Sequence, residues 1–591
     1  MTASLAPGAP RLPFDAGAPE RTPEARHRPS LLDRDGTGVL AALVAAALAF
    51  GALPLLRLAA AALAPQGQWR LADALAVVNG RAGLRALLNT LETASLSALL
   101  ALALGTAVAL VLATTDLRGR RPLAFLFVLS LMAAPQVAAL AYLTLLGPSS
   151  PILGLVGLAP EPGAAHPLRG AFGIVLVLGL HHAPLVAITV AAGLRRVPMA
   201  VIEAAQVEGA SGWQITRRIV LPLLRPHLVA AGCLAFTAGV GNFGIPALLG
   251  MPVNYLTLPT LIYRRLSSYG PSIIADAATL SLVVAAVAGL GALAGALALR
   301  RPGARIETER PLSPFWTLGR ARPLVEAALW ALVGVTILLP LASLLAAALS
   351  PTYGAPLTIA TLTLDNFVEV LARQQATVRG FCNSLLLAGG SALLLTLAAV
   401  PLAWALDRKT GRFRDALLWL FELPYALPGV VLAIACILIF LKPLPVVNVS
   451  LYATPWIILL AYLARFAPLA LKAPLAVMST VDRAQEEAAA LDGASLRQRL
   501  RHVIAPALWP AALAGGFLAF LLAFNELTVS ALLWSAGTET LGVALLSLEE
   551  AGLSAQAAAL ALATLAVVAA AMFWLDRLAP RLPEGTLPWR L

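Results

Sequence analysis

The stretch Glu203-Ala-Ala-Gln-Val-Glu-Gly-Ala-Ser-Gly-Trp-Gln-Ile-Thr-Arg-Arg-Ile-Val-Leu-Pro222 is charged and rich in capping residues, inside a chain that otherwise runs in long apolar blocks. Its local signals predict a helix entered at Pro198, continued by Glu203-Ala204-Ala205 and stopped at Gly209, where a left-handed residue closes it. Ser211 with Gln214 forms a capping box that opens a second helix. That helix is expected to run through Arg217-Arg-Ile-Val and to end at Pro222 and Pro226, because an interior proline loses a hydrogen bond and clashes with the preceding turn. The same devices return 284 residues later as Glu487-Ala488-Ala489, Gly493, Ser495 with Gln498, Pro506 and Pro510. Over positions 203–226 the two copies are identical at 11 of 24 places, closer than the apolar blocks around them. A repeated loop of this kind divides the chain into two related halves.

Outward from the loops, the 591 residues are 59% hydrophobic and 12% charged. Blocks long enough to cross a ~30 Å hydrocarbon core lie near 38–64, 91–115, 122–146, 170–193, 227–249, 277–299, 324–349, 383–406, 415–441, 455–475, 511–534 and 557–575. Backbone groups in lipid must be satisfied within their own segment, so each block is expected to be helical. The short alternating strands of a membrane barrel are not seen in the sequence. The predicted fold class is therefore an all-α polytopic membrane protein with about 12 transmembrane helices.

Other anchors support the repeat. Ala183-Pro-Leu185 falls on Ala467-Pro-Leu469 at the shift of 284, whereas Asn89-Thr-Leu91 meets Asn383-Ser-Leu385 at a shift of 294. The ten-residue difference is assigned to an insertion in the outward loop near 147–169. Six spans per half restore the starting orientation, so the repeats are parallel about an axis along the membrane normal. The expected organisation is a disordered tail over 1–37, a first membrane domain over 38–299 with its loop at 194–226, and a proline-rich linker over 300–322. A second membrane domain over 323–576 follows, with its loop at 476–510, and then a short tail over 577–591.

A net charge of +12 raises the question of a polyanionic partner. With the N-terminus inside, 31 of the 42 lysines and arginines fall in the segments then facing the cytoplasm, including both repeated loops. That is the positive-inside pattern; it places both termini in the cytoplasm and explains the charge without nucleic acid. Cys233, Cys382 and Cys436 lack metal-ligand spacing and read as small core residues; no metal site is expected. No cleavable signal precedes the first block, which is expected to stay as the first span.

The loops resemble the signature of permease subunits of binding-protein-dependent ATP-binding cassette importers, in which Glu-Ala-Ala, three residues, Gly, nine residues and Ile-x-Leu-Pro recur. The first copy matches throughout, with Ile219 and Leu221-Pro222. The second has Val503 and Ala505 in place of Ile and Leu. The resemblance runs from about Asn89 to Asp576 and implies the type I importer fold. It also implies that Glu203, Ala204, Ala205, Gly209, Glu487, Ala488, Ala489 and Gly493 dock into grooves of a dimer of ATPase subunits. The chain has no phosphate-binding G-x-x-x-x-G-K-[ST] run, so it is expected to bind no cofactor and to be no enzyme, with ATP used by the partner. A periplasmic binding protein and membrane lipid are the other expected partners, and the bacterial inner membrane the expected location.

Polar residues inside spans are costly and mark candidate pathways. Asn242 and Glu526 correspond at the shift of 284 and Asn525 adjoins them; His181 corresponds to Arg465; Gln136 and Glu422 sit beside prolines that free backbone carbonyls. The bland alternative is mutual satisfaction between packed helices. Arg264 and Arg265, facing outward, are candidates for contact with acidic groups of the binding protein. Among importers, the fused halves and Asn242-Phe-Gly-Ile-Pro-Ala-Leu-Leu-Gly250 most resemble the ferric iron permeases. Ferric iron is therefore the substrate the resemblance implies, with thiamine, phosphonate, polyamine, sulfate and molybdate as alternatives. An ion-coupled secondary transporter, the rival class, leaves the two loops unexplained.

Overall fold

The computed structural model describes residues 37–578 apart from 70, 162, 269–271, 301–311, 353, 355–357 and 444–447. The tail expected over 1–37, the proline-rich start of the linker and the C-terminal end of the chain thus lie almost wholly outside the described residues. Among those residues, all the longer elements are helices. Among the described residues eleven helices are long and apolar enough to cross a membrane, and a bent pair, Gly411–Ala426 with Gly429–Phe440, makes a twelfth when taken as one broken span.

The twelve expected blocks all reappear, and the differences have local causes. The third span of each half is broken: Arg120–Met132 gives way to Pro135–Leu146, and Gly411–Ala426 turns by 104° into Gly429–Phe440. Ala134 and Leu427, at ψ 139° and 141°, are extended. Each is followed by or adjoins a proline, Pro135 or Pro428, whose ring disfavours helix in the residue before it. The blocks expected at 227–249 and 511–534 begin earlier and stop sooner. They form Gly212–Gly241 and Leu496–Phe524, which rise straight out of the repeated loops.

The stop expected at Pro222 and Pro226 is corrected by these two spans. Five-residue π-helical turns, Thr216–Val220 and Leu500–Ile504, precede the first prolines, which then occupy the opening turn of Leu221–Gly241 and Ala505–Phe524. The wider turn relieves the clash between the ring of Pro222 or Pro506 and the preceding carbonyl, and Pro226 and Pro510 then lie inside the helices that continue. After Asn242 the apolar residues fold into a hairpin, Gly244–Val253 and Leu258–Leu266, bent by 74°. In the second half, Ser530–Leu533 and Leu541–Glu550 take its place. With these hairpins counted as re-entrant, each half has six crossings and both loops fall on one side.

The anchor residues of the repeat hold these hairpins. Asn89 donates to Leu256 O at 2.8 Å and Thr90 Oγ1 accepts from Leu258 N at 2.8 Å. Asn383 donates to Glu539 O at 2.9 Å and Ser384 Oγ accepts from Leu541 N at 2.8 Å. The insertion lies where expected, with 147–170 standing opposite the shorter 441–454.

The halves are interlocked. The first span, Thr37–Leu63, packs along its own half's last span, Ile273–Arg300, and also along Gln375–Asp407, Gly411–Ala426 and Gly429–Phe440 of the other half. Leu43 and Ala47 are buried with Ala403, Trp404 and Phe421. The corresponding Gly319–Ala348 lies against Arg120–Met132 and Pro135–Leu146, with Leu329, Val333 and Ile337 buried beside Phe127 and Val186. Cys436 is buried as expected, but Cys382 is exposed on the outer face of Gln375–Asp407 and is no core residue.

The described part of the linker is tied to the first half. The N–H groups of Phe315 and Trp316 donate to Thr114 O at 3.0 and 2.9 Å. Leu318 N donates to Asp116 Oδ1 at 3.0 Å, and Arg322 pairs with Asp116 Oδ2 at 3.0 Å. The Leu318 N–H, with the Arg322 guanidinium, holds the Asp116 carboxyl below its usual range.

Candidate transport path and coupling loops

Each repeated loop is a helix, a left-handed glycine and a second helix. In the first, Met199–Val207 is followed by Gly209 at φ 79° and Gly212–Ile215; in the second, Arg483–Leu491 is followed by Gly493 at φ 82° and Leu496–Arg499. A side chain in that backbone region is strained, which is why both stops are glycine. Both capping boxes form: Ser211 N donates to Gln214 Oε1 and Ser495 N to Gln498 Oε1, each at 2.8 Å. Glu203, Ala204, Glu487, Ala488 and the two glycines are exposed, while Ala205 and Ala489 are half-buried. The tips also carry Val207 and Leu491, equivalent residues exposed by 86% and 85%, which leaves an apolar side chain at the same place on each loop.

The inner faces of the loops differ in kind. In the first, Ile202 and Ile215 are fully buried among aliphatic side chains. Their equivalents are Glu486 and Arg499, also buried. Glu486 accepts from Trp404 Nε1 at 3.0 Å and pairs with Arg408 and, at 3.8 Å, with Arg499. A carboxylate at this depth holds its charge only if paired on several sides. Sequence reasoning passed over Glu486 in favour of its exposed neighbour Glu487. The signal lay in the comparison of copies, since Ile202 and Ile215 become Glu and Arg together.

The linker meets the first loop alone among the described residues. Trp316 covers Gly212, where a Cβ would collide with the indole, and its ring lies 6.5 Å from that of Trp213. Gln206 Nε2 donates to Phe315 O at 3.1 Å.

Near the helix breaks the polar candidates form a cluster between the halves. Asn525 Nδ2 donates to Met132 O at 2.9 Å, the carbonyl left over at the broken third span of the first half, and Gln136 Nε2 reaches Asn525 O at 3.4 Å. Arg465 serves the other break, donating to Leu427 O at 3.1 Å, and lies 3.5 Å from Glu526. Asn242 Oδ1 accepts from Ile245 N at 3.1 Å and Glu526 Oε1 from Val529 N at 2.9 Å, so these equivalent residues play one capping role. Glu526 has a second oxygen to spare for Arg465.

Glu422 stands apart from this cluster, paired at 3.3 Å with Lys472, both roughly half exposed. Lys472 lies two turns from Arg465, about 10 Å along the helix toward the loops. The first-half equivalents of Arg465, Glu526, Lys472 and Glu422 are His181, Asn242, Ile188 and Val128. One half thus carries two ion pairs where the other carries none. His181 is not brought to the cluster; it is buried beside a cavity of about 40 Å³ lined also by Phe127, Tyr142 and Thr336. On the far side, Arg264 bonds Asn254 Oδ1 at 2.7 Å and Arg265 lies 3.8 Å from Asp276.

Comparison with known proteins yields a consistent set. Residues 105–300 and 398–583 each match the family described as binding-protein-dependent transport system inner membrane component. A probable ABC transporter permease of Sinorhizobium fredii is 28% identical over 509 residues, covering 85% of this chain and 88% of its own. A putative 2-aminoethylphosphonate transport system permease of Salmonella typhimurium is 30% identical over 257 residues, 42% of this chain and 92% of its own. An Fe(3+)-transport system permease of Haemophilus influenzae is 32% identical over 168 residues, 28% of this chain and 32% of its own.

Proposed function

From a chain that belongs, twice over, to the family of binding-protein-dependent transport system inner membrane components, we infer that energy released on partner ATPases reaches the path between the halves through the two loops. It is the multi-pass permease of an ABC importer, with both halves in one polypeptide. The observation that carries the coupling role is the pair of exposed Glu-Ala-Ala helices with left-handed glycines and apolar tips, standing at equivalent places on one side. Each serves one cassette of an ATPase dimer. Closing of the cassettes moves the loops, and because Gly212–Gly241 and Leu496–Phe524 are continuous with them, the motion reaches Asn242 and Asn525 directly. The loops and both termini are cytoplasmic, at the boundaries 1–37, 38–299, 300–322, 323–576 and 577–591. Arg264 and Arg265 face a periplasmic binding protein.

Ferric iron is the substrate favoured by the resemblance to ferric permeases and by the Fe(3+)-transport relative, and Glu526 and Glu422 are the acids that would meet it. A second reading rests on Arg465 and Lys472, which suit an oxyanion or a zwitterion of the class named for the 2-aminoethylphosphonate relative. Uptake of labelled ferric iron, 2-aminoethylphosphonate and molybdate by cells with and without this chain separates the two. Loss of iron uptake alone supports the first reading, and loss of an oxyanion or zwitterion alone the second. Uptake that persists after deletion of the ATPase refutes the importer mechanism for this chain.

A further inference from the structure

On the loop side of the first half a cleft of about 860 Å³ opens between Arg81–Thr114, Arg120–Met132 and Ala171–Leu194, walled by linker residues Leu312 to Pro314 and by Asp576 at the end of the last span. Its floor is apolar, with Ala109, Phe125, Ala187 and Ala191 at membrane depth, and its rim carries Arg120 and Arg121. Both arginines are exposed, and among the described residues neither has a carboxylate partner. The other charged groups in the wall, Arg195 and Asp576, each have an interaction partner.

The second half differs at the matching places. Leu471 and Leu475 replace Ala187 and Ala191 and pack into a cluster with Leu43 and Ala47. The same fold therefore fills the position with bulk in one half and leaves space beside two arginines in the other.

We propose that this cleft is a binding site for an anionic phospholipid, with the phosphate on Arg120 and Arg121 and an acyl chain over the alanine floor. The chemistry of the walls supports a lipid over a soluble anion. The cations stand where a transmembrane helix meets the interface, and the apolar surface continues from them toward the membrane interior. Arginine also suits phosphate through paired N–H groups. Because Leu312 to Pro314 lead directly to Phe315 and Trp316, the lipid would brace the linker that covers the first coupling loop.

The test uses the full chain with its ATPase in nanodiscs of phosphatidylcholine containing a minority of phosphatidylglycerol. The readout is the enrichment of phosphatidylglycerol among lipids retained after exchange into detergent, measured by mass spectrometry. In R120Q/R121Q the enrichment falls about tenfold, whereas R120K/R121K, which keeps the charges but not the paired N–H groups, retains part of it. A187L/A191L, which leaves the arginines and fills the floor, loses it as well. Retained association with the ATPase shows that each variant is folded. Unchanged enrichment in both R120Q/R121Q and A187L/A191L overturns the site. Loss on arginine replacement without loss on filling overturns the cleft in favour of a surface patch. Displacement of the lipid by inorganic phosphate or by the transported solute overturns the lipid assignment in favour of a soluble anion.

Discussion

Glu486 and Ile202 occupy equivalent places and solve the same problem by opposite means, which makes the pair a direct test of how each repeated loop is held. Replacing Glu486 by Gln removes the carboxylate that Arg408 and Arg499 share at depth, an expected loss of about 3–5 kcal/mol, visible as a lower unfolding midpoint. The triple change E486I/R499I/R408T, which copies Ile202, Ile215 and Thr114 into the second half, is expected to restore most of it; failure to do so would show that shape, not charge balance, governs the site. At Arg465 and Glu526 the single changes R465Q and E526Q are expected to lower uptake by at least about tenfold, or ~1.4 kcal/mol. If the pair were only a brace, R465Q/E526Q would recover uptake; a path role leaves it low while assembly recovers. Residues of this kind were partly legible. Span depth and duplication singled out Asn242, Glu526 and Arg465, but nothing in one copy distinguishes a buried Glu486 from an exposed Glu487. The exchange of Ile202 and Ile215 for Glu486 and Arg499 between the copies does, and the packing against Trp404 shows why.

Gly209 and Gly493 decide whether each loop turns. Alanine at φ near 80° costs on the order of 1–2 kcal/mol, so G209A and G493A are each expected to weaken retention of the ATPase on affinity purification while leaving membrane insertion unchanged. Equal retention in both would remove the turn from the docking surface. Elements were the most legible level of this chain. Apolar length located twelve crossings, Pro135 and Pro428 mark the two broken ones, and Ser211 and Ser495 mark the loop helices. The continuation through Pro222 and Pro506 was not legible, because a proline reads as a stop unless the wider π turn before it is known. That turn depends on how Gly212–Gly241 and Leu496–Phe524 enter the bundle.

Across the whole molecule, the linker makes the halves unequal. Asp116 has a folded-state pKa below its ordinary 3.8, so its contribution to the linker clamp is fully present above about pH 4 and is lost as the pH falls through the lower, folded value. Spin labels on the exposed Val207 and Thr317 are expected to keep one narrow distance distribution from neutrality down to about pH 4, and to broaden below it. D116N is expected to broaden it at every pH; a narrow distribution in that variant would mean that Trp316 and the bonds to Thr114 and Gln206 hold the linker without Asp116. The duplication itself could be read from sequence at residue precision, down to the ten-residue insertion. Which helices touch could not, since hydropathy reports that a segment crosses and is silent on its neighbours. The exchange of first spans between halves came only with the fold.

That exchange sets an order of events during synthesis. Leu43 and Ala47 find their burial against Ala403, Trp404 and Phe421, residues made more than three hundred positions later. At 5–20 residues per second the ribosome needs on the order of half a minute to reach them. For that interval Thr37–Leu63 waits beside an unfinished partner, and the N-terminal half cannot mature as a closed unit before the C-terminal half emerges.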